Sequence, residues 1–304
     1  MPHPPPLRIG TRGSKLARWQ AEWVGARLQQ HGQPVELVEV TTSGDSDQHG
    51  SMEAIGTLGV FTKEIQRALL IKDVDIAVHS LKDLPTEPVE GLILAATPPR
   101  ESVCDALISN DFASIAELPQ RARVGTGSLR RQAQLRFLRP DLQLLDIRGN
   151  VDTRIAKLDA GEYDAIVLAE AGLNRLGLVD RIRELLTPDC MLSAVGQGAL
   201  GIECRADDRA VLDIVSRIND AETFAAVAAE RALLAGLQGG CLAAIGGWGR
   251  IEEGHLVLSA VVLSPDGGQR LFHEDRAAMS EAIALGARVA EVLRGRGAAE
   301  LLQR

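Results

Sequence analysis

Residues 125–154 read GTGSLRRQAQLRFLRPDLQLLDIRGNVDTR, and they run against the charge of the whole chain. The 304 residues carry 33 Lys+Arg against 41 Asp+Glu, a formal net charge of −8. This stretch alone holds six arginines, at 130, 131, 136, 139, 148 and 154, against three aspartates. Gly125 to Ser128 read as a turn that ends in a helix N-cap. Leu129, Ala133 and Phe137 follow at helical spacing, and Pro140 ends the run. Arg130 and Arg131 therefore fall in the first helical turn, where the positive end of the helix dipole disfavours cations. Two explanations fit. One is a solvated basic helix end; the other is a bound anion that satisfies the free N–H groups and the guanidinium forks together.

The same strand–turn–helix unit recurs on either side. A strand at 7–10 leads through Thr11-Arg12-Gly13-Ser14-Lys15 into a helix that runs to about Gln30. Further strands are expected at 35–41, 75–79, 92–96, 123–125, 142–147 and 165–169, with helices at 61–71, 152–160 and 171–176 between them. Such alternation predicts an α/β architecture with parallel sheets. The strand at 75–79 ends in Ser80-Leu81-Lys82-Asp83-Leu84-Pro85, at the carboxyl end where open α/β sheets bind ligands. Lys82-Asp83 also fits a plain surface ion pair before a proline turn. Arg148 and Arg154 flank another strand-to-helix junction, and Arg175 follows a strand end. Repetition of arginine at these junctions points to a polyanionic ligand. Residues 43–59, rich in Gly, Ser and Asp, read as a lid or a disordered loop. Later come a strand at 200–204, a helix at 221–237, a hairpin at 256–263 and 269–272, and a closing helix at 280–293.

Composition narrows the function. No apolar run reaches the roughly 18 residues that a membrane span needs. Met1-Pro2-His3-Pro4-Pro5-Pro6 has neither the basic nor the apolar part of a secretory signal. Cys104, Cys190, Cys204 and Cys241 are scattered, which speaks against a metal site or a disulfide framework and suits the cytoplasm. The first three read as small buried hydrophobes. Cys241 follows Gln238-Gly239-Gly240, a helix-ending glycine turn. An acidic chain with 3% aromatic residues is a poor nucleic-acid binder. No P-loop is present, and the glycine-rich turn that starts at Gly196-Gln197-Gly198 leads into a strand rather than opening a helix, so nucleotide binding has no good motif.

Six stretches carry a resemblance: RIGTRGSKLARWQA at 8–21, DIAVHSLKDLP at 75–85, VGTGSLRRQAQL at 124–135, IRGNVDTRIAKLDAGEYDAIVLAEAGLNRLGL at 147–178, AVGQGALGIECR at 194–205 and ERALLAGLQGGC at 230–241. In this order and spacing they resemble the porphobilinogen deaminase (hydroxymethylbilane synthase) family over almost the whole chain. The resemblance implies a transferase that condenses four porphobilinogen units head to tail, losing ammonia each time, on the route to porphyrins and haem. It implies a dipyrromethane cofactor held by a thioether to Cys241, and three α/β domains. Two of these, at 1–98 plus 199–216 and at 103–193, would be of the type II periplasmic-binding-protein kind around a cleft. The third, at 220–304, would be a small α+β domain with an antiparallel sheet. Asp83 matches the catalytic aspartate, which is also a cofactor contact. Arg12, Ser14, Lys82, Thr126, Ser128, Arg130, Arg131, Arg148, Gly149, Arg154, Arg175 and Gln197 match cofactor contacts, and Arg12, Arg148, Arg154 and Arg175 also match substrate contacts. A monomer without metal, membrane or nucleic-acid partner is expected. The other readings are a non-catalytic anion-binding protein and an impaired paralogue of the same fold. Three stretches depart from the family pattern: residues 52–59 lack its lysines, Ser43 replaces an arginine, and Leu242-Ala243-Ala244-Ile245 follows Cys241.

Overall fold

Apolar runs of about five residues closed by a polar or glycine turn set the layout, because such a run buries both faces inside a sheet covered on both sides. The computed structural model describes residues 5–41, 62–238 and 243–302. The expectations for the loop at 43–59 and for Cys241 fall outside the described residues. Contacts group the chain into two units, residues 1–100 with 199–224, and 101–198 with 225–304.

In the first unit, β1 (Leu7–Thr11) leads into α1 (Lys15–Gln30), then β2 (Val35–Glu39), α2 (Lys63–Leu70), β3 (Ile76–Ser80), a 3-10 turn (Leu81–Asp83) and β4 (Leu92–Ala96). The chain returns later as β10 (Leu200–Arg205) and α6 (Arg209–Val215). Sheet order is β2-β1-β3-β10-β4, with β1 parallel to β2 and β3, and β10 antiparallel to β3 and β4. Ser14 starts α1, its Oγ accepting from the Ala17 N–H at 3.3 Å. Val24 and Leu28 of that helix bury against Ile9, Ile76 and Ile202.

The second unit repeats this plan. Its strands are β5 (Asp105–Ile108), β6 (Arg123–Gly125), β7 (Gln143–Leu145), β8 (Ala165–Ala169) and β9 (Ile182–Leu186), with α3 (Leu129–Leu138), α4 (Val151–Asp159) and α5 (Glu170–Arg175) between them. The order β7-β6-β8-β5-β9 places parallel β7, β6 and β8 beside an antiparallel β5, as β2, β1 and β3 stand beside β10. Two mixed sheets thus share one topology without a repeat in sequence.

A third sheet, also in the second unit, is antiparallel: β11 (Ile245–Glu252), β12 (His255–Leu263) and β13 (Arg270–Ala277). Leu256, Leu258, Ala260 and Val262 face one core with Ala229 and Leu233 of α7 (Ala221–Gly236) and Leu285, Val289 and Leu293 of α8 (Ala282–Gly295). Gly286 lets the two helices meet: a Cβ there would lie 2.2 Å from the Ala229 carbonyl oxygen. Gly286→Ala is therefore expected to cost about 1–3 kcal/mol through overpacking. A thermal melt should show the midpoint fall by several degrees; an unchanged midpoint would mean that the helices can part freely.

Candidate functional site

In a parallel sheet the carboxyl ends of the strands share one edge, and that edge binds ligands. In the first unit, Arg12 and Ser14 follow β1, while Lys82 and Asp83 follow β3. The turn bearing Asp83 is pinned from beneath. Leu81 and Leu84 are buried, the Leu81 N–H donates to Ala199 O at 3.0 Å, and the Leu84 N–H donates to Leu81 O at 3.1 Å. Asp83 itself is exposed. Gln20 of α1 donates to Ser80 Oγ at 2.8 Å and holds the end of β3. Behind it lies a buried polar link that the sequence reading missed: His79 Nε2 sits 3.2 Å from Glu203 Oε2, and Gln66 donates to Glu203 at 3.0 Å.

In the second unit the same edge carries the arginine-rich stretch. Thr126 Oγ1 accepts from the Ser128 N–H at 3.3 Å, and Ser128 caps α3 by accepting from the Arg131 N–H at 3.5 Å. Each hydroxyl uses an oxygen lone pair in this way and keeps its hydrogen for donation. Arg148 and Gly149 follow β7. Gly149 takes φ +105, a conformation open to glycine. Asn150 then caps α4 through the Thr153 N–H at 3.0 Å, and Arg154 Nε donates to Gly149 O at 2.8 Å. Arg175, at the end of α5, donates to Gly198 O at 2.6 Å. Burial pulls its guanidinium down to about 10, with Glu101 opposing.

Arg130 and Arg131 lie in the first turn of α3, as the sequence placed them, but not as a solvated helix end. Both are buried, and both pair with Asp105, the first residue of β5. Arg130 Nη2 donates to one carboxylate oxygen at 2.8 Å; Arg131 Nη2 and Nε donate to the other at 2.7 and 3.0 Å. Gln197 Nε2 adds a further bond to that second oxygen at 2.8 Å. Arg130 Nη1 donates to Leu192 O at 2.6 Å, and Arg131 Nη1 to Val167 O at 2.9 Å. An anion does answer the two cations at the helix start, but it is the chain's own carboxylate. Burial alone would raise the Asp105 carboxyl, yet the charges of Arg130 and Arg131 with the bonds from Arg131 and Gln197 hold it well below the usual range. Burial lowers the Arg130 guanidinium, Arg131 lowers it further, and Asp105 opposes both.

The cysteine expectation also changes. Cys204 is buried, but Cys104 is only partly covered and Cys190 is exposed. Among the described residues, no cluster of His, Cys, Asp and Glu has the form of a metal site, and no helix is long and apolar enough to cross a membrane.

Two domain families cover nearly all of this. Residues 7–213 match "Porphobilinogen deaminase, dipyromethane cofactor binding domain", and residues 224–295 match "Porphobilinogen deaminase, C-terminal domain". The chain belongs to the porphobilinogen deaminase family. The porphobilinogen deaminase of Syntrophotalea carbinolica is 47% identical over 97% of this chain and 95% of its own. That of Trichlorobacter lovleyi is 47% identical over 99% and 96%. Among solved structures, a periplasmic substrate-binding protein of an ABC transporter from Coxiella burnetii aligns with TM-score 0.45 and 14% identity, over 70% of this chain and 91% of that one. Porphobilinogen deaminases are transferases, and the matched cofactor binding domain contains both mixed sheets.

Proposed function

We infer that this chain is a hydroxymethylbilane synthase: it joins four porphobilinogen units head to tail, releases ammonia at each addition, and builds on a covalent dipyrromethane. One observation carries the assignment of residues. In each mixed sheet the residue types that bind carboxylates gather at the carboxyl ends of the parallel strands: Arg12, Ser14 and Lys82 in one, Thr126, Ser128, Arg148, Arg154 and Arg175 in the other. Every pyrrole ring of the cofactor and substrate bears an acetate and a propionate. Guanidinium forks match carboxylates in shape as well as charge, so the donor set fits the group. The backbone at Gly127 and Gly149 adds close approach, since a Cβ at Gly127 would crowd Ile147 O at 3.2 Å.

When bound through Cys241, dipyrromethane supplies the nucleophilic pyrrole carbon that receives the first substrate unit. The chain's own groups do the rest. Arg12, Arg148, Arg154 and Arg175 hold substrate carboxylates, and Lys82, Ser14, Thr126, Ser128, Gly149 and Gln197 complete the cofactor's surroundings. Arg130 and Arg131 act from the Asp105 cluster beneath. Asp83 moves protons: it assists departure of the amine, faces the positive charge that develops on the ring, and later takes a ring proton. We further propose three domains, at 1–98 plus 199–216, 103–193 and 220–304, acting as a cytoplasmic monomer. The three separate sheets support that division.

Intact mass tests the reading. The purified wild-type chain should exceed its sequence mass by two pyrrole units, and porphobilinogen should add single pyrrole units stepwise. An adduct that does not extend would identify an impaired paralogue. An unmodified chain would identify an anion-binding protein.

A further inference from the structure

Two buried guanidiniums share one buried carboxylate. Among the described residues, Asp105 is the one acid paired with Arg130 or Arg131. The cluster therefore carries one positive charge in excess, out of contact with water, and the Arg130 Nε is buried with no hydrogen-bond partner. An ionic group of this kind is a poor stabiliser, because apolar side chains of similar volume serve a core as well or better. Its location argues for a use. β5 runs antiparallel to β8, with Asp105 opposite Ala169, so its first residue lies at the edge where β6 and β8 end. That is the edge of Thr126, Ser128 and Arg175.

The same carboxylate reaches further through Gln197. Gln197 Nε2 bonds Asp105 at 2.8 Å and Val103 O at 2.8 Å, and the next residue, Gly198, accepts from Arg175. Gly198 takes φ +84, and a Cβ there would meet Glu101 O at 2.3 Å, so this turn has one way to sit. Three side chains from two separate segments thus bond one acid, and Arg175 joins them through the backbone of the turn at 197–198.

We propose that Asp105 is a positioning residue for the polyanion site: it fixes Arg130, Arg131 and Gln197, and through the 196–198 turn Arg175, and so sets the affinity for substrate carboxylates. This rests on the function inferred above. Asp105 touches no substrate; it orders the groups that meet or attract one and keeps the cluster's surplus positive charge in place.

The test uses the purified enzyme with its cofactor and two variants, Asp105→Asn and Asp105→Glu. Asp105→Asn keeps the shape and removes the charge, while Asp105→Glu keeps the charge and moves the carboxylate by one methylene. Positioning predicts that KM for porphobilinogen rises about tenfold or more, the effect of one charged hydrogen bond, while kcat changes much less. Asp105→Asn, if it folds, should show the larger rise and Asp105→Glu a partial recovery. A lower melting midpoint with wild-type KM in Asp105→Glu would overturn the proposal and leave Asp105 a purely structural acid. Failure of the functional reading would look different, since wild-type chain would then carry no adduct and consume no porphobilinogen.

Discussion

Asp83→Asn is expected to lose about 100- to 10,000-fold in turnover, the range that one positioned proton-transfer group contributes, while the fold and the cofactor adduct stay intact. The separation follows from how the turn is held. Buried Leu81 and Leu84 and the backbone bond from Leu81 to Ala199 O anchor it, and the Asp83 side chain takes no part in that anchoring. Asparagine has the same shape, so the turn and the neighbouring Lys82 keep their places. What it loses is the negative charge and the ability to exchange a proton. Rapid mixing with porphobilinogen should show substrate bound at near-normal affinity but ammonia released slowly. Turnover within about tenfold of wild type, less than the smallest effect expected of a proton-transfer group, would remove Asp83 from the chemistry.

Much of this layout can be read directly from residues. β1, β3, β6 and β8 are short apolar runs whose ends are marked by glycine or polar turns, and the arginines and Asp83 follow those ends in sequence. Local signals of that kind need no knowledge of partners. Three strands lacked such signals. β5 is four residues long, DALI, and β9 is an ordinary alternating stretch; each is a strand because of the neighbour it pairs with. β11 reads IGGWGRIE, and its glycines argue against a strand on propensity. The structure explains them. A Cβ at Gly249 would sit 2.7 Å from Ala226 O, and one at Gly246 would sit 2.9 Å from the Leu192 Cβ, so the strand gives up side chains to let other backbone come close. Asp105 was missed for a related reason. An aspartate in an apolar strand has no local signature, and its meaning lies with two arginines 25 and 26 positions away. The unfavourable pair of cations at a helix start was the available clue. It left open a solvated helix end or a bound anion and did not point to the chain's own carboxylate.

Cys241→Ser should abolish the two-pyrrole adduct completely, with no transfer of the modification to another cysteine. The reason lies in the other three thiols. Attachment needs a thiolate, and a thiol pushed upward in pKa supplies almost none at neutral pH. Burial raises Cys204 to about 11, with Asp208 adding to it. Burial also raises Cys104, and Glu170 and Asp105 add to that. Cys190 is exposed as a residue, but desolvation around its sulfur and the nearby charge of Glu184 raise it too. All three are shifted away from the thiolate, Cys204 furthest. Serine keeps the size of the side chain and removes the sulfur, so the variant should fold and melt like the cofactor-free chain and show the bare sequence mass. Porphobilinogen added afterwards should leave that mass unchanged, because nothing remains on which a chain of pyrroles can start. An adduct surviving in Cys241→Ser would place the attachment on one of the suppressed thiols and overturn both the assignment and the argument from thiol acidity.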